Sequence, residues 1–250
     1  MRQALYSGAG NTFILADVRS ESFNYKEVSR VCALKNVDGM IFVENSHTHD
    51  VRARFFNRDG SEPKMCGNGL RCLIHFLKEL KIERSEYSIE TLAGVHKGWF
   101  SEEEVCTLFP KPSDLRLNVL ENLHFINTGV PHAVSFFQNV DQIDVISVGA
   151  KYRFAPLFAP SGTNVNFVAL REDRSLAVRT YERGVEGETL ACGTGSIASA
   201  LVAHVLHGLS SPISVWVRSG ERLKVSFSPD WSAVTLQGKV KKMKEISKSL

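Results

Sequence analysis

The sequence predicts an α/β (α+β) chain of two pseudo-symmetric halves, and two observations carry that prediction. The first is a duplicated glycine turn headed by cysteine, Met65-Cys66-Gly67-Asn68-Gly69 and, 126 residues later, Ala191-Cys192-Gly193-Thr194-Gly195. The second is the order of what surrounds each turn: strands, an Asx- and Gly-rich loop, Cys-Gly-X-Gly, a helix, then more strands. An aromatic-polar pair, Phe56-Asn57 or Tyr181-Glu182, stands about ten residues before each cysteine, which extends the parallel.

In the first half, strand patterning runs over Gly39–Glu44 and Asp50–Asn57, a helix from Cys66 to about Leu80, and strands over Tyr87–Thr91 and Val95–Phe100. The second half repeats this with strands at His124–Asn127, Asn166–Leu170 and Ser175–Tyr181, a helix from Cys192 to about Leu206, and a strand at Ile213–Val217. Arg222–Phe227 and Ala233–Val240 close the sheets. Phe109-Pro110-Lys111-Pro112-Ser113 is the expected seam, giving a Cys66 half over 1–113 and a Cys192 half over 114–236.

At 250 residues, 43% hydrophobic and 23% charged, the composition is that of a globular protein with a proper core. No apolar run approaches a membrane span and the N-terminus has no signal-sequence pattern, so the expectation is a cytoplasmic protein without membrane partners. The net charge of +3 is modest, and the basic run Lys239–Lys244 has no interleaved aromatics. It reads as a solvated strand edge or tail, and no nucleic-acid partner is expected. Gly8-Ala9-Gly10-Asn11 resembles the start of a dinucleotide fingerprint but lacks the third glycine and a following βαβ unit.

The five cysteines show no C-x-x-C spacing, which argues against a disulfide framework and a structural metal site. Cys32, Cys72 and Cys106 read as core filling. Cys66 and Cys192 differ because each stands at a helix start, where unpaired N–H groups and the positive end of the macrodipole favour a thiolate. The glycines let backbone amides approach a ligand as a small anion nest. Either turn alone is as well explained by a buried cysteine near a cap. Two matching turns instead suggest two proton-transfer groups that clamp an α-carboxylate and address opposite faces of the adjacent carbon. The expected substrate is then a small-molecule amino acid, with no cofactor and no metal.

His132, after the turn Gly129-Val130-Pro131, and Glu182 are candidates to tune the thiols, whereas His47, His49, His75, His96, His124, His204 and His207 read as ordinary core or surface residues. Arg183 suits a bidentate contact to a substrate carboxylate, and a structural ion pair with Glu182 or Glu186 fits it equally.

These motifs resemble the diaminopimelate epimerase family of cofactor-independent two-cysteine racemases over essentially the whole chain. The likeness is carried by Phe56-Asn57-Arg58-Asp59-Gly60-Ser61-Glu62 before Met65–Cys72, by Glu182-Arg183-Gly184 before Ala191–Gly195, and by Gly8–Phe13 and Asn164–Val168. It implies two halves, each a curled mixed β-sheet around a central helix, with the active site in the cleft between them and a last strand, about 237–250, returning to the first half. Cys66 and Cys192 would be the acid/base pair, polarised by His132 and Glu182. Gly67, Asn68, Gly193 and Thr194 would hold the reacting end, and Asn11, Asn57, Asn164 and Arg183 the far end. The implied reaction interconverts LL- and meso-2,6-diaminopimelate for lysine and peptidoglycan synthesis, without metal or pyridoxal phosphate, in a homodimer.

Three departures stand out. Val130 replaces the family's usual asparagine before Pro131-His132, Lys35–Gly39 is a reduced form of a Gly-rich segment, and Thr12 replaces a more usual acidic residue. The first suggests a less selective distal pocket and a broader amino-acid racemase, acting for example on glutamate. Proline racemases carry histidine where Asn68 stands, and phenazine-pathway proteins of this fold have lost the cysteine pair. A non-catalytic binding protein on the same scaffold is a further alternative, and a disulfide between the two thiols would be a redox switch.

Overall fold

The computed structural model describes residues 1–246, and the last four residues of the expected C-terminal strand, 247–250, lie outside the described residues. The chain forms two compact units, Met1–Thr107 with the chain from Gly238, and Leu108–Gln237. The change of unit falls ahead of the proline stretch, because the strand Glu104–Phe109 runs through Thr107 and Leu108 before the prolines end it.

In the first unit, β1 (Gln3–Gly8) and β2 (Asn11–Asp17) form an antiparallel hairpin with Gly8 opposite Asn11. Its two-residue turn, Ala9-Gly10, has φ of 52° and 90°, the conformation a tight hairpin with right-handed strand twist requires. The segment that resembled a dinucleotide fingerprint is this hairpin turn. The chain crosses through α1 (Val28–Lys35) to β3 (Gly39–Glu44), parallel to β2, then turns back in β4 (Val51–Asn57). A second crossover through α2 (Gly67–Glu79) places β5 (Tyr87–Thr91) parallel to β4, followed by the antiparallel strands β6 (Gly94–Ser101) and β7 (Glu104–Phe109).

The second unit repeats this path. Strand β8 (Ser113–Leu120) lies antiparallel to β9 (Leu123–Asn127), which forms a hairpin with β10 (Pro131–Phe136). Crossing through α3 (Val145–Arg153) gives β11 (Asn164–Leu170) parallel to β10, and β12 (Leu176–Glu182) returns antiparallel. The short β13 (Gly187–Thr189) pairs back onto β12. After α4 (Gly193–His207), β14 (Ile213–Trp216) runs parallel to β12 and is followed by β15 (Arg222–Phe227) and β16 (Val234–Gly238). Finally β17 (Val240–Glu245) joins the first unit antiparallel to β1, as β8 flanks β9 in the second. The basic run is thus a paired strand, with Lys242 Nζ held by Glu79 at 2.6 Å and Glu245 at 2.8 Å.

Helices cover both faces of β3, which is why that strand reads as a near-continuous apolar run. In β3, Ile41 and Val43 enter a core with Leu70, Leu73, Ile74 and Leu77 of α2, while Met40 and Phe42 enter another with Val28, Val31 and Cys32 of α1. Full burial of each such aliphatic side chain contributes roughly 1.5–3 kcal/mol relative to exposure. Cys32, Cys72 and Cys106 are all buried, and burial pushes the Cys32 thiol up to about 11. Along α4 the residues from Gly195 to Ala203 are buried, and small side chains permit this. Ser196 and Ser199 satisfy their buried hydroxyls by donating to the carbonyls of Cys192 (2.9 Å) and Gly195 (2.8 Å), one turn back. Gly208 ends the helix in the left-handed conformation, φ 60°.

Candidate active site

Cys66 and Cys192 are the N-caps of α2 and α4, both in extended backbone conformation, φ −134° and −119°. Each cysteine carbonyl opens its helix, accepting from Leu70 N (2.8 Å) and Ser196 N (2.9 Å). The amides of the first turn have no carbonyl partner inside the helix, so both sulfurs stand where negative charge is stabilised.

In the first unit Gly69 N–H donates to Cys66 Sγ at 3.5 Å. Arg71, fully buried one turn into α2, folds back toward the same helix end. Its guanidinium donates to Asn68 Oδ1 at 2.7 Å and Gly67 O at 3.4 Å. Asn68 Nδ2 in turn donates to Asn11 Oδ1 at 2.8 Å, so Asn11, Gly67 and Asn68 gather at the head of the helix that Cys66 caps. Asn57 ends β4 in an exposed turn, where its side chain donates to Ser61 Oγ at 3.0 Å rather than joining this network. Arg54 pins the following loop by a bidentate pair with Glu62, both contacts 2.8 Å. Thr12 donates through its hydroxyl (3.0 Å) and amide (2.8 Å) to Asp38, so an acidic residue at position 12 would face a like charge.

In the second unit Cys192 Sγ lies 3.4 Å from Thr194 Oγ1, and that hydroxyl lies 2.9 Å from His132 Nε2. His132 therefore meets the cysteine through Thr194. Its ring is fully buried, and burial, reinforced by the Arg183 charge, drives its pKa down to about 3, so the imidazole is neutral at physiological pH. On its other side His132 Nδ1 meets Asn166 Nδ2 at 3.0 Å. Thr128 Oγ1 donates to Thr194 O at 3.0 Å and fixes the turn containing Gly193 and Thr194. A Cβ on Gly195 would lie 2.3 Å from Asn166 Oδ1, so glycine is needed for α4 to start this close to β11.

Glu182 ends β12 half-buried, and burial pushes its carboxyl above the ordinary range, the Thr189 hydroxyl pulling the other way. Asn164 bridges neighbouring segments, donating to Pro131 O (3.0 Å) and accepting from Arg183 N (2.9 Å). The Arg183 guanidinium donates to Ser161 O at 3.3 Å. The ion pair with Glu186 considered for Arg183 belongs instead to Arg153, at 2.9 Å, whose chain segment reaches Glu186 directly. Arg179 grips Glu188 at 2.7 and 2.8 Å, the counterpart of Arg54 and Glu62.

Among the residues of these networks, Arg71, Thr128 and Asn166 escaped sequence reasoning. Asn166 had a signal, since Asn164 and Asn166 share one strand face between the apolar Val165 and Phe167. Arg71 had a fainter one, a charge at helical spacing from Asn68 inside an apolar helix.

The fold class is shared with solved structures of low sequence identity. A phenazine biosynthesis protein of the PhzF family from Bacillus anthracis superposes with a TM-score of 0.76 at 16% identity, covering 98% of each chain. A hydroxyproline epimerase from Agrobacterium vitis gives 0.68 at 13% identity, covering 98% of this chain and 91% of that one. The duplicated mixed α/β fold is thus one that this chain shares with both of these proteins. Within it, the family model for diaminopimelate epimerase matches residues 3–106 and 124–243. Diaminopimelate epimerases from Aquifex aeolicus and Flavobacterium psychrophilum are 43% and 36% identical, over 95% and 94% of this chain and 94% of each relative. The chain belongs to the diaminopimelate epimerase family.

Proposed function

We propose that this protein is an isomerase that interconverts LL- and meso-2,6-diaminopimelate by proton transfer between two thiols, serving lysine and peptidoglycan synthesis in the cytoplasm as a homodimer. The observation that carries the reading is the pair of cysteine-capped helix starts in a chain of this family. The α-hydrogen of an amino acid is very weakly acidic, so charge developing at the α-carbon must be stabilised. A substrate α-carboxylate set against the first-turn amides of Gly67, Asn68, Gly193 and Thr194 is partly neutralised, and the neighbouring carbon becomes more acidic.

One sulfur, as thiolate, takes the α-proton. The electron pair left on carbon then takes a proton from the other sulfur on the opposite face, which inverts the centre. Protons balance, and the two sulfurs exchange roles with each turnover. His132 is too weak a base to remove the α-proton itself, with its pKa near 3, and acts by holding Thr194 beside Cys192. Asn11, Asn57, Asn164 and Arg183 are proposed for the distal amino-acid group. Val130, half-exposed in the β9–β10 turn, favours a second reading in which smaller amino acids such as glutamate also turn over. If Val130→Asn leaves the diaminopimelate-to-glutamate ratio unchanged, that second reading is wrong.

Proton NMR of LL-diaminopimelate in deuterated water, without added cofactor, tests the main reading. Loss of the α-proton signal with growth of the meso isomer is expected, and abolition of both in Cys66→Ser and in Cys192→Ser. Absence of exchange with folded, reduced protein would overturn the assignment.

A further inference from the structure

The polar side chains behind Cys192 form a chain whose hydrogen-bond directions are fixed from its far end. Asn166 Nδ2 lies 2.9 Å from Ala133 O, an atom that can accept and cannot donate. The amide orientation follows, and Asn166 Oδ1 accepts from Thr180 Oγ1 at 3.0 Å. The same NH2 group faces His132 Nδ1 at 3.0 Å, which makes that ring nitrogen an acceptor. In a neutral imidazole the proton then sits on Nε2 and is donated to Thr194 Oγ1, 2.9 Å away. With its oxygen already accepting, the Thr194 hydroxyl has its own proton to direct at Cys192 Sγ, 3.4 Å away.

We infer that Asn166 is a positioning residue that locks His132 in the Nε2–H tautomer, so that the Thr194 hydroxyl donates to Cys192 and favours its thiolate. All of the side chains from Thr180 to His132 are buried, which removes water as a competing partner. No proton is transferred along the chain; it supplies a fixed dipole to the sulfur. Asn166 never touches the sulfur, and its influence passes through His132 and Thr194. The inference rests on Cys192 acting as a proton-transfer group, yet its first readout needs no substrate.

Long-range proton–nitrogen correlation on 15N-histidine-labelled protein, with His132 assigned by its loss in His132→Gln, reads the tautomer directly. The expected result is a pure Nε2–H pattern in the natural protein and a mixture of both tautomers in Asn166→Leu. Asn166→Leu should also slow iodoacetamide alkylation of Cys192 at neutral pH by about tenfold and lower kcat by a similar factor, with KM within about twofold. Thr194→Val should slow the same alkylation with the Nε2–H tautomer kept, and Thr194→Ser should restore it. An Nδ1–H pattern in the natural protein, or Cys192 alkylation unchanged in Thr194→Val, would overturn the inference whether or not Asn166→Leu folds. If the tautomer is as expected and diaminopimelate is not turned over, the functional reading fails and the lock stands.

Discussion

Cys66 and Cys192 occupy equivalent positions, yet what lies behind them differs in kind. Strand register makes the equivalence explicit: Phe13 pairs with the first residue of β3 as His132 pairs with the first residue of β11. Ile41, two residues on, is opposite Phe55, and Asn166 is opposite Thr180. One helix therefore starts over Phe13, Ile41 and Phe55, and the other over His132, Asn166 and Thr180. Above the apolar floor the Gly69 amide donates to Cys66 Sγ, and the buried Arg71 cation folds toward the same helix end onto Asn68 and Gly67. The polar floor supports Cys192 through a neutral hydroxyl-imidazole-amide chain. The backbone device is the same in both units, and the side chains behind it differ: an apolar floor with a buried cation in one, a polar hydrogen-bonded chain in the other.

Substitutions that strike one side of this comparison should leave the other measurable. The largest effect is expected from Cys66→Ser or Cys192→Ser, each lowering diaminopimelate turnover by about 10²–10⁴-fold in a steady-state assay, because neither sulfur can substitute for the other. Next, Arg71→Met should cost about 2–3 kcal/mol by urea denaturation, since it strips charge-assisted hydrogen bonds from the buried Asn68 and from Gly67 O. If stability is unchanged, Arg71 is not holding that helix end together.

A smaller, paired contrast lies in the glycines. A Cβ at Gly195 meets Asn166 Oδ1 at 2.3 Å, an atom held by Thr180, whereas a Cβ at Gly69 meets the flexible tip of Ile41 at 2.7 Å. Gly195→Ala should lose about 1–3 kcal/mol and Gly69→Ala less than about 1.5 kcal/mol, measured as denaturation midpoints at constant slope. Equal losses would mean that the two floors yield equally. Last is a pH effect from His132 of the second unit, read as a slope rather than as a loss at one pH. The unfolded chain protonates His132 near pH 6.5 and the folded chain near 3, so stability rises with pH across that window and is lost as pH falls through it. His132→Gln should reduce that slope by up to one proton; an unaltered slope would contradict burial of a neutral ring.

Much of this was legible in the sequence because the Cys-Gly-X-Gly repeat sits at a helix start that glycine makes possible, and both caps formed as the motif implied. Strands such as β3 and β4 were readable from strand-like alternation. The short helices α1 and α3 were not, since eight or nine residues hold too few turns for a clear period. β8 was hidden by its exposure and by Asp114 and Asn118 at positive φ, which break the alternation. At the site, His132 was visible from its turn, but its partner is set by strand register: Asn166 meets it because β10 and β11 run parallel with His132 opposite Asn164. Arg71 escaped because a charge inside an apolar helix looks like a solvated position until its neighbours are known.

Site-resolved alkylation at neutral pH, with peptide mass spectrometry following Cys66 and Cys192 separately, tests the contrast between the two floors most directly. Arg71→Met should slow Cys66 about tenfold and leave Cys192 unaffected, while Thr194→Val should do the reverse. If either variant slows both sulfurs alike, or neither, the two sides do not support their thiolates by separate means.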